Sequence, residues 1–455
     1  MKILILGAGQ VGRTAAQSLA GEPANEVTVI DVNEPVLREL QDRIDIRAVA
    51  GNAAYPSVLE AAGIADTDIL IALTNSDEVN IVACQIAQLL YRTPTRIARI
   101  RAAEYTSRPQ LFAEGGLAVD VWISPEELVT DYIAHLLSNP GALQVVDFAD
   151  GRVQLAGVRA QPEGLLVGKP LRALREHLPD ADIRVAAIYR DGRLLPPAGD
   201  TVIAQGDEIF FVAARDDLTK MLAELRKRLP KVRKLVIAGG GNIGLRLART
   251  LEHSHQIKLI ERDPRRARRA SEILQHAIVL QGDAADEELM IEENIDSADV
   301  FAALTNSDEA NVMAAMLAKR LGASRVMALV SRSAYEELME NRNIDVVISP
   351  QTITIGSLLA HVRRGDVVRV HSLRRGVAEA IEVVVHGTAE RSRVIGRRIE
   401  DVELPQGASV VAIARGEQVI MAHHDTLIEN EDHLIVFVAD RRHVEAVERL
   451  FQGEH

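Results

Sequence analysis

Apolar residues follow two alternating rhythms along the chain. Short apolar-rich runs at Ile3–Leu6, Val27–Ile30, Ile46–Val49, Ile69–Leu73, Arg96–Ile100 and Val119–Ile123 read as strands. Most lack the polar alternation of a half-exposed strand, so both faces are expected to be covered. Between them apolar positions recur at helical spacing, as in Val79, Val82, Ala83, Ile86 and Leu90. Strand–helix alternation of this kind predicts a doubly wound parallel sheet. The pattern then turns β-rich, with strands expected at Leu143–Phe148, Val153–Val158, Val185–Tyr189 and Glu208–Val212. Gly and Pro at the joints point to a small α+β module.

The whole pattern occurs twice. Lys2–Gly12 returns as Lys234–Gly244, a shift of 232 residues, and Ala72–Asn80 returns as Ala303–Asn311, a shift of 231. Ile123-Ser124-Pro125 pairs with Ile348-Ser349-Pro350, and Asp207–Val212 with Asp432–Phe437. The expected fold class is α/β: a tandem duplication of a Rossmann-like doubly wound parallel sheet followed by a small α+β domain. The expected domains are 1–140, 141–230, 231–365 and 366–455, with Pro230 marking the linker between halves. Ser124-Pro125-Glu126-Glu127 carries a helix start, with Ser124 at the N-cap, Pro125 in the first turn and Glu127 closing a capping box. Ser349-Pro350 repeats the cap, with Thr352 in place of the glutamate. Each such helix is the natural arm into the module that follows.

Charge and composition narrow the function classes. The 455 residues hold 65 Asp and Glu against 52 Lys and Arg, a net charge of -13 that suits no nucleic-acid binder. The basic runs Arg262–Arg269 and Arg226–Lys234 read as solvated helix or linker surface. Cys84 is the only cysteine, which excludes an intrachain disulfide and fits a reducing compartment; on its helix it reads as a small core residue. No run approaches the roughly 20 apolar residues of a membrane span, and the first strand is too short for a signal peptide. A cytosolic protein is expected, meeting a membrane only through a partner.

The candidate chemistry lies in the glycines. Gly7-Ala8-Gly9-Gln10-Val11-Gly12 and Gly239-Gly240-Gly241-Asn242-Ile243-Gly244 each follow an apolar strand and open a helix. In such a loop the first glycine makes the tight turn, the second admits a diphosphate against the backbone, and the third lets helix and strand pack closely. Asp31 and Glu261 end the second strands, where a carboxylate holds ribose hydroxyls and disfavours a 2′-phosphate, so NAD or an adenine nucleotide is expected over NADP. Thr74-Asn75 and Thr305-Asn306 follow the fourth strands, at the carboxyl edge where open sheets bind ligands. Asp77 and Asp308 read as N-caps of the next helix.

The fifth strands differ between the halves. Arg99 and Arg101 align with Leu329 and Ser331, with Tyr105 set opposite Tyr335. The arginines suit either a multiply charged phosphate or a surface salt-bridge strand. An oxidoreductase would also need a domain presenting an acid, base or nucleophile. The histidines at 135, 177, 361, 371 and 386 are scattered without Ser or Cys partners, and His253, His255, His423 and His424 lack the companions of a metal site. No catalytic or metal residue is therefore assigned. Asp200 and Asp207 are ascribed to turn chemistry.

The two glycine motifs, the two Thr-Asn-Ser-Asp-Glu segments and the run His371–Ala380 together resemble the TrkA family, cytoplasmic regulatory subunits of bacterial Trk potassium-uptake systems, over essentially the entire chain. The resemblance implies two tandem regulator-of-conductance units on the cytoplasmic face of the inner membrane. It also implies a homo-oligomer, by family a tetramer, that binds NAD or NADH and ATP or ADP and gates an integral-membrane Trk potassium channel-like subunit. Site one would be lined by Gly7–Val11, Asp31, Asn52, Thr74, Asn75 and Arg99. Site two would be lined by Gly239–Ile243, Glu261, Asp283, Thr305 and Asn306. The family's Gly-Asp-Ala survives as Gly282-Asp283-Ala284, whereas the first half has Gly51-Asn52-Ala53. The alternatives are a regulator of another potassium channel or efflux system, and an NAD-dependent oxidoreductase.

Overall fold

A computed structural model describes residues 1–22, 24–113, 115–227, 231–332, 344–362, 367–373, 377–388 and 392–451. Pro230, Tyr335, Arg374–Gly376 and the expected boundary at 365 lie outside the described residues. The chain forms two compact units: residues 1–128 with 350–362, and residues 129–349 with 363–455.

In the first unit six strands, β1 (Lys2–Leu6), β2 (Glu26–Asp31), β3 (Arg47–Ala50), β4 (Ile69–Ala72), β5 (Thr95–Arg99) and β6 (Val121–Ile123), pair in parallel in the order β3-β2-β1-β4-β5-β6. Helices α1 (Gln10–Ala20), α2 (Glu34–Gln41), α3 (Pro56–Ala61), α4 (Asp77–Ile86) and α5 (Ala103–Thr106) connect them. The unbroken apolar character of β1 follows from cover on both faces. Ile3 and Ile5 join a layer with Ala15, Ala16 and Leu19, whereas Leu4 and Leu6 join the opposite layer with Leu59, Ile64 and Cys84. Cys84 is fully buried, and desolvation pushes its thiol up to about 12, which makes it the inert core residue expected.

The first layer contains residues from far along the chain. Ile355, Leu358, Leu359 and Val362, on the helix Pro350–Val362 that follows the second Rossmann-like sheet in sequence, pack with Ile3, Leu19, Ile97 and Ile123. The sequence placed this helix as an arm leaving the second half. The structure makes it part of the first unit.

The second unit begins within helix α6 (Pro125–Ser138). It holds β7 (Ala142–Phe148), β8 (Val153–Arg159), β9 (Ile183–Arg190), β10 (Arg193–Leu195) and β11 (Glu208–Ala214), with helices α7 (Leu174–His177) and α8 (Leu218–Leu225). The parallel sheet follows, with β12 (Lys234–Ala238), β13 (Gln256–Glu261), β14 (Ile278–Gln281), β15 (Val300–Ala303), β16 (Arg325–Leu329) and β17 (Val346–Ile348). Its helices are α9 (Asn242–Leu251), α10 (Pro264–Ile273), α11 (Glu287–Glu292) and α12 (Asp308–Leu321), and its strand order β14-β13-β12-β15-β16-β17 repeats the first. Strands β18 (Val367–Leu373), β19 (Ala378–Val384), β20 (Ala408–Arg415), β21 (Gln418–Met421) and β22 (His433–Val438) complete it. The antiparallel sheets run β10-β9-β11-β8-β7 and β18-β19-β22-β20-β21, the same wiring twice. β10 is only three residues long, too short for alternation to reveal.

Three polar devices hold this unit. Asp207, 1% exposed, accepts the Ala204 amide at 2.8 Å and pairs with Arg190 through both oxygens, so its role exceeds turn chemistry. Asp432 does the same with Arg415 and the Glu429 amide. Arg325 on β16 donates to the carbonyls of Leu136 in the last turn of α6 and of Ala142 at the start of β7, and burial pulls its guanidinium down to about 10. Cations at a helix C-terminus satisfy orphan carbonyls and oppose the dipole.

The two antiparallel sheets share one apolar core, in which Phe148, Leu155 and Phe210 meet Leu373, Ile435 and Phe437. His371 sits at its edge, edge-on to Phe148 at 5.0 Å, with Nε2 donating to the Asp147 carbonyl at 3.2 Å. Burial, with Arg369 and His135 adding repulsion, pulls this imidazole to about 4. A group held neutral in the fold but basic when unfolded draws protons to the unfolded chain, so stability falls with pH. Between about pH 6.5 and about pH 4 the paired sheets are expected to lose roughly 1–3 kcal/mol. Urea midpoints across this range, compared with His371→Gln, check it; an unchanged slope in the variant would remove His371 as the cause.

Candidate nucleotide sites

Both glycine loops stand at the carboxyl edge of their sheets, between β1 and α1 and between β12 and α9. Gly7 and Gly239 adopt φ of +100° and +108° and donate to the ends of the neighbouring strands, at Ile30 and Ile260. A Cβ at Gly12 or Gly244 would lie 1.9 Å from the carbonyl oxygen of Gly7 or Gly239, so only glycine lets the helix sit on the turn. The middle glycines differ in kind. A Cβ at Gly9 or Gly241 would meet nothing within 4 Å, and neither has a positive φ. Nothing in the folded chain requires glycine there. These two are also the N-caps of α1 and α9 and offer no side chain to the first helical amides.

The acidic residues brace the loops. Asp31 accepts the Ala8 amide at 2.6 Å and the Asn33 amide at 2.8 Å, and Glu261 accepts those of Gly240 and Asp263 at the same two distances. A carboxylate offers about four acceptor positions, so two remain at each. Asn52 and Asp283 lie in the next loops and accept the amides of Ala54 and Ala285, each at 2.9 Å.

At the fourth strands the threonines turn inward. Thr74 donates its hydroxyl to Asn80 Oδ1 at 2.7 Å, and Thr305 donates to Asn311 at the same distance. Asn80 and Asn311 are fully buried and also donate to the Arg99 and Leu329 carbonyls, tying the loop to the fifth strand. Sequence reasoning missed this pair, because an asparagine in a helix carries no signal of its own. Asn75 and Asn306 point outward and are exposed. Asp77 and Asp308 are not the N-caps expected: the caps are Ser76 and Ser307, each accepting a helix amide at 3.2 Å. Asp77 lies inside the first turn and accepts the amides of Arg101 and Ala102, each at 2.8 Å, while Asp308 takes those of Ser331 and Arg332. The carboxylate is drawn to paired orphan amides just beyond the fifth strand, where a single serine suffices for the cap.

These contacts also show the Arg99/Leu329 and Arg101/Ser331 pairs to be equivalent positions. Arg101 is engaged: it donates to the Asn75 carbonyl and lies 3.5 Å from Asp77. Arg99 is looser. Its Nη2 is 3.8 Å from Glu126, its buried Nε has no hydrogen-bond partner, and desolvation lowers its pKa against the opposing pull of Glu126. At the second site Leu329 offers nothing comparable. Among the described residues no group of three or more His, Cys, Asp or Glu could hold a metal ion, and no helix is long and apolar enough to cross a membrane.

The TrkA-N domain pattern matches residues 3–125 and 235–350, and the TrkA-C domain pattern matches 155–226 and 388–452. The Trk system potassium uptake protein TrkA of Halomonas elongata is 54% identical over 452 residues, covering 99% of both chains. The chain belongs to the TrkA family. The TrkA proteins of Vibrio alginolyticus and Haemophilus influenzae are 53% and 46% identical, again over 99% of each chain. Among solved structures, the GsuK RCK domain superimposes with a TM-score of 0.61 at 19% identity, covering 99% of this chain and 94% of that one. The GsuK channel bound to NAD gives 0.60 at 19% identity, covering 99% and 78%; both show the shared fold. TrkA is a potassium-uptake family and not a family of enzymes, so the oxidoreductase alternative is set aside.

Proposed function

We propose that this TrkA-family chain is a cytoplasmic nucleotide sensor that binds NAD or NADH and ATP or ADP at its two glycine loops and gates a membrane Trk-type potassium-conducting subunit. The observation that carries this is the pair Gly9 and Gly241, glycines that the fold does not require and a close-approaching diphosphate would. The Trk-system name of its relatives and the NAD-bound state of the GsuK channel support the reading. Gly7–Gly12, Asp31, Asn52, Thr74, Asn75 and Arg99 form the first site, and Gly239–Gly244, Glu261, Asp283, Thr305 and Asn306 the second. Thr74 and Thr305 contribute by shaping the loop, since their hydroxyls face into it. The Rossmann-like domains are taken as 1–140 and 231–365, and the small domains as 141–230 and 366–455. The assembled form is a homo-oligomer on the cytoplasmic face.

The sites differ in the charge they can receive. A polyphosphate at the first site would give the Arg99 guanidinium a stronger partner than a carboxylate at 3.8 Å, and would release Glu126 in the first turn of α6. Only a ligand that favours one of two states can shift an assembly, and the Arg99–Glu126 pair supplies such a difference. Calorimetric titration of NADH, NAD, ATP and ADP into the protein, Asp31→Ala and Glu261→Ala tests the proposal. Binding lost separately in the two variants is expected, with Arg99→Leu weakening ATP about tenfold or more and NADH less. No binding of any of the four nucleotides overturns it.

A further inference from the structure

The helix α10 carries Pro264-Arg265-Arg266-Ala267-Arg268-Arg269-Ala270, with Arg262 just before it. Ala267 and Ala270 are buried, and all five arginines are exposed. Arg268 pairs with Glu272 at 3.2 Å, and Arg262 approaches Asp283 only to 3.9 Å. The guanidinium groups of Arg265, Arg266 and Arg269 have no partner among the described residues. The fold does not ask for them. In the corresponding α2 of the first half the charges are mixed, and Arg38 pairs with Glu34 at 2.7 Å. Like charges at helical spacing, as at 265, 268 and 269, cost helix stability, so this arrangement serves something outside the chain.

We propose that α10 is a docking face for the headgroups of an anionic phospholipid surface. The outward face holds arginine, serine and glutamate but no aromatic or aliphatic anchor. A protein partner needs such an anchor at the centre of its interface, whereas a headgroup layer needs only a density of positive charge. Binding is peripheral, since nothing on this face can insert, and acts only within about 8 Å at physiological salt. The proposal does not depend on which nucleotides the glycine loops take.

Sedimentation of the full-length protein with phosphatidylcholine vesicles, with and without phosphatidylglycerol, tests it. Binding is expected only to the anionic vesicles and should fall steeply with added salt. Each arginine near a headgroup layer multiplies affinity about fivefold, so R265Q/R266Q/R269Q should bind about a hundredfold more weakly. The variant should melt no lower than the parent and keep its nucleotide affinity, which separates lost docking from lost folding. Inorganic phosphate at the same charge concentration should not compete, which distinguishes a lipid surface from a site for the free anion. Equal binding by the triple variant, no binding to anionic vesicles, or competition by inorganic phosphate overturns the proposal. Capture of an acidic protein without vesicle binding would do so as well, and would assign the face to a protein instead.

Discussion

Alanine at Gly9 is expected to leave the protein folded and weaken the first nucleotide site, whereas alanine at Gly12, three residues on, should damage the fold itself. At Gly12 the new Cβ would lie 1.9 Å from the Gly7 oxygen, and helix α1 would have to lift from the turn beneath it. Overpacking of backbone against backbone has no flexible side chain to yield, so the cost is about 3 kcal/mol or more. At Gly9 a Cβ meets nothing within 4 Å and the backbone is extended, with φ -67° and ψ -175°, a conformation open to alanine, so stability should change by about 0.5 kcal/mol or less. The same methyl stands where a diphosphate would approach the loop. Affinity should fall about tenfold or more, or about 1.4 kcal/mol. Gly241→Ala and Gly244→Ala should repeat the contrast at the second site. Urea denaturation and calorimetry of the four variants read it. Undiminished binding by Gly9→Ala would reduce the loop to scaffolding.

The second large effect crosses between the halves of the sequence. Leu358 is fully buried in the layer that covers Ile3, Leu19 and Ile97, so Leu358→Ala should cost about 3 kcal/mol. The loss should appear in the first Rossmann-like domain: hydrogen exchange in β1 and α1 is expected to accelerate although the substitution lies near residue 360. A chain ending at 227 lacks the helix altogether and leaves that apolar layer uncovered. It should aggregate when expressed alone and be rescued by co-expression of 231–455. A soluble, cooperatively folded 1–227 fragment with normal protection in β1 would show that the helix is dispensable.

Much of this protein can be read from its residues alone. The parallel strands could be read because burial on both faces leaves an unbroken apolar run, and the duplication because both halves kept the same short motifs nearly in register. The glycine loops could be read because turn, approach and packing are all demanded within six residues. The division of labour among those glycines is a tertiary fact, visible only in what a methyl group would touch. Likewise Ser76 rather than Asp77 caps α4, because the two amides that claim Asp77 belong to residues beyond β5, distant in sequence.

The local elements, their order, the repeat and the residue types gathered at each sheet edge are written in the order of the amino acids, since all of these depend on near neighbours. That Asn80 locks a loop to a strand, that Glu126 faces Arg99 and that the helix Pro350–Val362 completes the first unit emerge only in the folded chain. Hydrogen bonds and ion pairs of this kind require positions that meet only after folding. Apolar burial has no direction, so a helix with apolar faces announces that it must be covered, but which surface covers it is settled by the shape of the whole chain.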